Sequence, residues 1–207
     1  MSHRFAEIAF TDSVKAAQEH YRTRAQNERL EAGGPNDALG RAEAEFIAAR
    51  DSFYMATVSE TGWPYVQHRG GPPGFLRVLG PRQLAFADFR GNVQYVSVGN
   101  LARNDRVALI LMNYPRRQRL KVLGRMRSVD VAELAPELLK RVEMPSYRAR
   151  VERVMLIDVE AFDWNCPQHI TPRFTQAEVD AAVRPLKQRI AQLEARLREL
   201  GAEAAHG

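Results

Sequence analysis

The chain has 207 residues, of which 45% are hydrophobic and 27% are charged, and its formal net charge is +5. This length and composition are typical of one globular domain with appended helices. No apolar run reaches the roughly 18 residues that a membrane-spanning helix needs, so the composition argues against an integral membrane protein.

The distribution of charge restricts partners and location. Basic residues are spread along the whole chain, and no helix-turn-helix, zinc-finger or RNA-binding pattern accompanies them, so we expect no nucleic-acid partner. The first 24 residues mix acidic with basic side chains and lack the apolar stretch of a secretory signal. One cysteine excludes an intrachain disulfide. We therefore predict a cytoplasmic protein.

Residues 1–50 form an N-terminal helical segment in this interpretation. The stretch TDSVKAAQEHYRTRAQNERLE has a capping residue at position 11 or 12 and is followed by the breaker GGPND, so it predicts one helix. A second, shorter helix is expected from about Ala38 to Arg50.

Residues 51–174 have a different pattern, with short segments rich in β-branched and aromatic residues and separated by Gly, Pro, Asn or Asp. Connections such as SETGWP are too short for a parallel crossover, so they favour antiparallel pairing and a small mainly-β barrel. Two helices are expected within it, at about Val93–Arg103 and Ala132–Arg141. The predicted strands are 53–59, 64–69, 75–80, 83–89, 107–113, 119–130 and 151–163.

Residues 175–207 predict an amphipathic helix. Thr175 and Glu178 have the spacing of a capping box, and Pro185 predicts a kink or a restart within the helix. Two interpretations remain open: the helix packs on its own barrel, or it self-associates through a short coiled coil. The apolar residues repeat as a heptad at Val179, Val183, Leu186, Ile190, Leu193, Leu197 and Leu200.

Three local clusters could carry chemistry. Cys166 and His169 have a C-x-x-H spacing, but a structural zinc site needs four ligands and the sequence offers no second pair, so no metal is expected. No orienting group that would support a nucleophile is identifiable either. Cys166 is therefore interpreted as a packed apolar residue. The loop HRGGPPGF either turns between two strands or offers backbone N–H groups to an anion. A strand that ends at Asp88 and a helix start near Asn92 would form a phosphate or ring-oxygen site.

Four segments then occur in a characteristic order over about residues 45 to 174: FYMATVSETGWPYVQHR, LAFADFRGNVQYVSVGNL, NDRVALILMNYPRRQRLKVLGRMR and FDWNCPQHITPRF. Together they resemble the pyridoxamine 5'-phosphate oxidase-related family of FMN-binding split β-barrels. The resemblance implies a six-stranded antiparallel split barrel that forms a homodimer with two FMN molecules at the interface.

The resemblance also implies cofactor contacts. Positions on the second strand, at the end of the fourth strand and at the following helix start would hold the phosphate and ring, and a tryptophan and an arginine near residue 170 would reach the flavin of the partner subunit. The residues assigned in this way are Gln67, His68, Arg69, Gly70, Gly71, Asp88, Phe89, Asn92, Gln94, Arg119, Trp164 and Arg173.

Departures from the family pattern argue against one activity of the family, the oxidation of vitamin B6. Pro72 replaces a lysine at the end of the second strand, and Asn92-Val93-Gln94 replaces a phosphate-binding S-R-K. Ile170 and Pro172 occupy the region of the R-x-H that authentic pyridoxamine phosphate oxidases use on their substrate, so vitamin B6 oxidation is not expected.

The sequence therefore favours an FMN-dependent oxidoreductase that acts on a small molecule, with NADH or NADPH as a candidate electron donor. The flavin carries the redox chemistry itself, so no catalytic acid or base need be visible in the sequence. Two alternatives remain: a flavin-binding or sensing protein without turnover, and a barrel that binds haem or a deazaflavin, with His68 or His169 as a ligand.

Overall fold

A computed structural model describes residues 3–165 and 167–204, so the interpretation of Cys166 lies outside the described residues. The chain divides into two compact units. The first contains residues up to 113 and from 118 to 168, and the second contains residues 114–117 and those from 169 onward. None of the helices in the described residues is long and apolar enough to cross a membrane.

Four short helices precede the sheet: α1 (Arg4–Ala9), α2 (Asp12–His20), α3 (Arg24–Glu31) and α4 (Arg41–Ala48). The prediction of one helix from residue 11 to residue 31 was wrong, because Arg22 has a φ of 57° and breaks the helix. Arg24 then holds the two halves together, since its Nη1 donates to Gln18 Oε1 at 2.7 Å and its Nη2 donates to Glu31 Oε2 at 2.7 Å.

Seven strands form one sheet, and every neighbouring pair is antiparallel, as predicted. The resemblance implied six strands, whereas the sheet has seven, the number of segments predicted from the local pattern, with the short strand β3 at its edge beside β4. The sheet order is β2-β1-β5-β6-β7-β4-β3. The strands are β1 (Ser52–Val58), β2 (Pro64–Gly70), β3 (Arg77–Gly80), β4 (Gln83–Phe89), β5 (Arg106–Asn113), β6 (Gln118–Asp130) and β7 (Val151–Asn165).

The main apolar core lies on one face of this sheet and follows the alternation of the strands, and a smaller cluster around Ala85 and Leu156 lies on the opposite face of β4 and β7. Phe53 stacks on Phe75 with ring centroids 5.5 Å apart and meets the edge of Phe86 at 5.4 Å. Each of these rings is at most 2% exposed. The core fixes which face of each strand points inward, and hence which polar residues can meet on β2 and β4.

Two short helices interrupt the strands. Helix α5 (Val96–Leu101) follows β4, and helix α6 (Pro136–Val142) follows a 3-10 turn at Val131–Glu133. Helix α6 starts at Pro136, later than the predicted Ala132, and proline is tolerated at this first position. Helix α5 is attached to the sheet by polar contacts, because Asn100 Nδ2 donates to Thr57 Oγ1 at 2.9 Å.

The second unit consists mainly of α7 (Gln176–Ala204), a helix of 29 residues. Its predicted capping box is present, since Glu178 N donates to Thr175 Oγ1 at 3.2 Å and Thr175 N donates to Glu178 Oε2 at 2.8 Å. The helix is continuous through Pro185, so it does not restart there.

Candidate functional site

A small polar cleft opens where β2, the end of β4, the loop before α5 and the start of β7 meet. Its volume is about 50 Å³. That is far below the roughly 300–1,000 Å³ of a complete site for a drug-sized ligand. The lining residues are Tyr65, Gln67, Arg69, Asp88, Phe89, Gly91, Asn92, Val93, Gln94, Tyr95, Val96, Ser97, Val98, Glu152 and Arg153.

A buried ion network forms one wall of the cleft. Asp88 accepts a hydrogen bond from Arg69 Nη1 through one carboxylate oxygen and one from Arg153 Nη1, at 2.9 Å, through the other. The side chains of Asp88, Arg153 and Arg69 are 6%, 12% and 14% exposed. Burial alone would lower the pKa of Arg153, but the hydrogen bond to Asp88 and the charge of that carboxylate raise it overall.

Strand alternation explains why Gln67 and Arg69 share the cleft. On β2, Tyr65, Gln67 and Arg69 are partly buried, whereas the residues between them are exposed. Gln67 accepts a hydrogen bond from Ser97 Oγ at 3.1 Å, which ties the strand to α5. The Nε of Arg69 is buried and has no hydrogen-bond partner among the described residues.

The loop before α5 has an unusual backbone. Val93 and Tyr95 both have a φ of 53°, in the left-handed region that non-glycine residues rarely adopt. For this reason the helix begins at Val96, whereas the sequence predicted a start at Val93. The conformation directs Tyr95 onto the ion network, because the Arg153 guanidinium lies 4.9 Å from the Tyr95 ring centroid and the Tyr95 hydroxyl donates to Glu152 Oε1 at 3.3 Å.

Asn92 and Gln94 complete the rim of the cleft. Gln94 N donates to Asn92 Oδ1 at 3.3 Å, and Asn92 Nδ2 lies 3.4 Å from Gln94 Oε1. Both side chains are exposed, so their amide groups are accessible to a molecule that enters the cleft. Six of the residues proposed from the sequence therefore converge here: Gln67, Arg69, Asp88, Phe89, Asn92 and Gln94.

Other proposed residues on and after β2 do not line this cleft. His68 points to the opposite face of the strand, where its ring meets Tyr54 edge-on with centroids 5.5 Å apart. Gly71 is needed for packing, since a Cβ there would lie 2.8 Å from Phe75 Cγ. Its N–H already donates to Asp51 O at 2.9 Å. The glycine loop thus has the features of a structural turn, and Gly70 continues the β1–β2 pairing.

Trp164 lies near the end of β7, away from the cleft lining. Its Nε1 donates to Glu43 Oε1 at 2.8 Å, and its ring meets Phe46 edge-on at 4.8 Å. The tryptophan is still 39% exposed. Helix α4 therefore fixes the orientation of the indole while one face remains accessible.

The last two proposed residues occupy separate positions. Arg119 lies at the start of β6, opposite Met112 and next to Asn165 in the sheet register. Arg173 belongs to the second unit, where its guanidinium lies 5.1 Å from the ring centroid of Tyr114. Among the described residues, no group of three or more His, Cys, Asp or Glu could hold a metal ion.

Sequence reasoning missed Glu152, Arg153, Tyr95 and Ser97. Arg153 reaches Asp88 because β7 pairs with β4 in a register that places these two residues opposite each other. The charged pair Glu152-Arg153, directly before the apolar run VMLI, was a visible signal. Its partner could be identified only after the strand pairing was known.

Comparison with known proteins places the chain in a family. The family model for pyridoxamine 5'-phosphate oxidase matches residues 39–165, which is more than half of the chain. Among curated proteins, none matches the sequence.

Similar solved structures share low sequence identity with the chain. An FMN-binding protein from Syntrophomonas wolfei is 12% identical, with 74% of this chain and 97% of that protein covered and a TM-score of 0.46. An F420 reductase is 22% identical (57% and 94% covered, TM-score 0.39). The haem storage protein HutZ from Vibrio cholerae is 14% identical (61% and 94% covered, TM-score 0.41). On the strength of the family model, this chain is a member of the pyridoxamine 5'-phosphate oxidase family.

Proposed function

We propose that the protein binds FMN, with the phosphate at the cleft beside Arg69, and uses it to oxidise or reduce a small molecule. The observation that carries the proposal is the buried Nε of Arg69, which has no acceptor among the described residues although it lies at an anion-sized cleft. Buried donors are nearly always satisfied, so an acceptor from a ligand is expected at this position.

The charges near the cleft are compatible with a phosphate. Three arginines, Arg69, Arg90 and Arg153, lie at or beside the cleft, where their ion pairs with Asp88, Glu152 and the exposed Asp130 hold them in place. Asp88 is an acceptor only, and it is already bonded to two arginines. We therefore assign Asp88 the role of orienting Arg69 and Arg153, and we assign the contacts to phosphate to Arg69 and to the amides of Asn92 and Gln94.

The small volume of the cleft supports a homodimer as the functional form. The cleft of one chain has room for a group such as phosphate but not for a flavin ring, so the ring needs a second wall. Tyr54, Val66 and Trp63 are 41%, 62% and 76% exposed on or next to the β1–β2 hairpin. A second copy of the chain that covers such apolar residues would also supply this wall. Trp164 and Arg173 are the residues we propose to reach the partner's flavin.

When bound, FMN supplies hydride or electron transfer at its N5 atom. The protein then has to hold the phosphate, orient the ring and limit water access. The described cleft contains donors for the first task, and Trp164, which is fixed by Glu43, offers an aromatic face for the second. NADH or NADPH remains the candidate electron donor, and oxidation of vitamin B6 is not proposed.

The decisive experiment is a titration of the purified protein with FMN, followed by absorbance near 450 nm. Binding, followed by bleaching with NADH or NADPH and recovery in air, would support the oxidoreductase. Binding without turnover would support a flavin sensor. Failure to bind FMN, together with a Soret band on addition of haem or binding of a deazaflavin, would replace the proposal with one of these ligands.

A conservative variant tests the position of the phosphate. Arg69→Lys keeps a positive charge beside Asp88 but removes the Nε donor, so we expect the Kd for FMN to rise about ten-fold or more, as for loss of a charged hydrogen bond. Arg82→Lys, at an exposed ion pair with Asp37 outside the cleft lining, is the matched control and should leave the Kd unchanged. Equal affinities for the Arg69→Lys variant and the unaltered protein would place the phosphate elsewhere.

A further inference from the structure

Helix α7 has a continuous apolar seam that is exposed to solvent. Six of its seven seam residues are between 42% exposed, at Val179, and 69% exposed, at Leu197, and Val183 is half-buried. Leu186 and Ile190, near the middle, are 62% and 55% exposed. A helix of 29 residues that leaves such a seam uncovered has an unused apolar surface.

The residues along the seam specify the kind of partner. In heptad notation, the a positions are Val183, Ile190 and Leu197, and the d positions from Leu186 onward are Leu186, Leu193 and Leu200. Two of the three a residues are β-branched, and these three d residues are leucine. This combination favours a parallel coiled coil of two strands.

The flanking charges favour the same arrangement. In a parallel, in-register pair, Arg189 at a g position lies beside Glu194 at the next e position of the second helix, and symmetry forms this attractive contact twice. In an antiparallel pair the g positions face each other, so arginine at 189 meets arginine at 189 or at 196. An antiparallel pair also brings e positions together, where Lys187 meets Glu194, so its repulsive and attractive contacts offset each other, whereas the parallel pair has the attractive contact alone.

These charges have no competing ion pair within the helix. Arg189 donates only a long hydrogen bond, 3.5 Å, to Gln192 Oε1. Among the described residues neither Arg189 nor Glu194 is part of an ion pair, whereas Arg196 is paired with Glu199 at 3.2 Å. The two residues that would meet across the parallel interface are thus available for it.

Pro185 does not oppose this arrangement. It occupies a c position, on the side of the helix away from the seam, and the helix continues through it. The missing N–H removes one backbone hydrogen bond, but the pyrrolidine ring does not enter the interface.

We propose that α7 binds α7 of a second copy of this chain as a parallel, in-register two-stranded coiled coil. The two-fold symmetry of such a pair is compatible with a symmetric dimer of the β-sheet units. The proposal does not depend on FMN binding. The coiled coil is also a contact separate from any pairing of the β-sheet units.

Site-specific cross-linking in the full chain tests the proposal. After Cys166→Ser removes the native thiol, Leu193→Cys places a cysteine at a d position, and Ala195→Cys places one at the outward f position as the matched control. Because d residues of parallel helices face each other within disulfide distance, mild oxidation should cross-link Leu193→Cys at least about ten-fold faster than Ala195→Cys. Equal rates, or no cross-linked dimer, would overturn the proposal.

Orientation and charge are tested separately. A mixture of Ile190→Cys and Leu193→Cys chains would cross-link preferentially to each other in an antiparallel pair, and that result would also overturn the proposal. Arg189→Glu should slow the cross-linking of Leu193→Cys by about two-fold, which corresponds to the loss of an exposed ion pair. Adding Glu194→Arg should restore the rate, because the pair is then reversed and not removed; failure of this rescue would contradict the parallel register.

Discussion

Two acidic side chains of the first unit each bridge two arginines, but they do so in different surroundings. Asp88 joins Arg69 and Arg153 inside the cleft, where its own side chain is 6% exposed. Glu160 joins Arg4 and Arg125 on the outer face of the sheet, where it is 35% exposed. Both carboxylates bridge two arginines, so the pair shows how burial acts on a bridge of this kind. The further partners differ, since Arg153 also contacts Glu152 and Asp130, whereas Arg4 contacts Glu7 and Arg125 contacts Asp105.

We call Asp88, Arg69 and Arg153 the inner network, and Glu160, Arg4 and Arg125 the outer network. Because the inner network is buried, loss of one of its members should strongly lower the free energy of unfolding. Removing one member of a buried network leaves charges that are neither solvated nor paired, whereas exposed charges can return to water. The inner network is also the one beside the proposed phosphate position. The outer network attaches helix α1 to β7 and to β6.

The largest expected effect is that of Asp88→Ala. This change leaves Arg69 and Arg153 buried without their shared carboxylate, and the free energy of unfolding should fall by about 3–5 kcal/mol. Urea unfolding followed by circular dichroism measures it. A loss below about 1 kcal/mol, similar to that of an exposed pair, would remove the distinction between the two networks.

Replacing the whole inner network separates stability from binding. In the variant Arg69→Met, Asp88→Leu, Arg153→Met, the three buried charges are removed together and Glu152 keeps Arg90 as a partner. The free energy of unfolding should therefore stay unchanged or rise by about 1–4 kcal/mol. FMN binding, measured by titration, should nevertheless be lost. Retained binding in a stable variant would show that these charges do not hold the phosphate.

The matched change in the outer network is Glu160→Ala. We expect the free energy of unfolding to fall by only about 0.2–1 kcal/mol, because Arg4 and Arg125 remain hydrated. This loss in the free energy of unfolding should shrink further in 1 M salt, where the Debye length is about 3 Å. A loss comparable to that of Asp88→Ala would contradict the role assigned to burial.

The smallest expected effects on the free energy of unfolding depend on pH, and they have opposite signs at Glu160 and Asp163. Hydrogen bonds from Arg4, against a cost of burial, hold the pKa of Glu160 below its ordinary 4.5. Its stabilisation is therefore present above pH 4.5 and is lost as the pH falls through the lower pKa of the folded protein. The advantage of the unaltered protein over Glu160→Gln should disappear over that range in acid unfolding.

Asp163 should behave in the opposite way. Burial, only partly offset by the charge of Lys121, raises the pKa of this carboxyl above its ordinary 3.8. Its ionisation therefore costs stability once the pH rises above 3.8, and the full cost is reached above the raised pKa of the folded protein. Asp163→Asn should stabilise the protein at pH 7 and have no such effect below pH 3.8. A destabilised variant at pH 7 would contradict this sign.

Local patterns in the sequence predicted most elements of the fold. All seven strands occur near their predicted positions, and the capping box at Thr175 is present. These features depend on residues within a few positions of each other, so an alternating pattern or a cap is sufficient to identify them. The break at Arg22 and the late start of α5 were missed because they depend on backbone conformations that the residue types do not demand.

The candidate site was less predictable because it combines distant segments. Gln67 and His68 were proposed together, yet adjacent residues of a strand point to opposite faces, and the structure directs only Gln67 to the cleft. Arg153 was missed because its relation to Asp88 depends on the register of β4 with β7.

The sequence by itself determined the antiparallel strands, the heptad of α7 and the ordered motifs that resemble the family. Each of these features is encoded in the periodicity or the order of residues along the chain. Only the tertiary structure decided that Asp88 is shared by two arginines and that Trp164 is held by Glu43. The physical reason is that burial and partner choice arise from contacts between residues far apart in the chain. The outer network also has a carboxylate between two arginines, with Glu160 between Arg4 and Arg125, but the fold places it where the side chains are far more exposed.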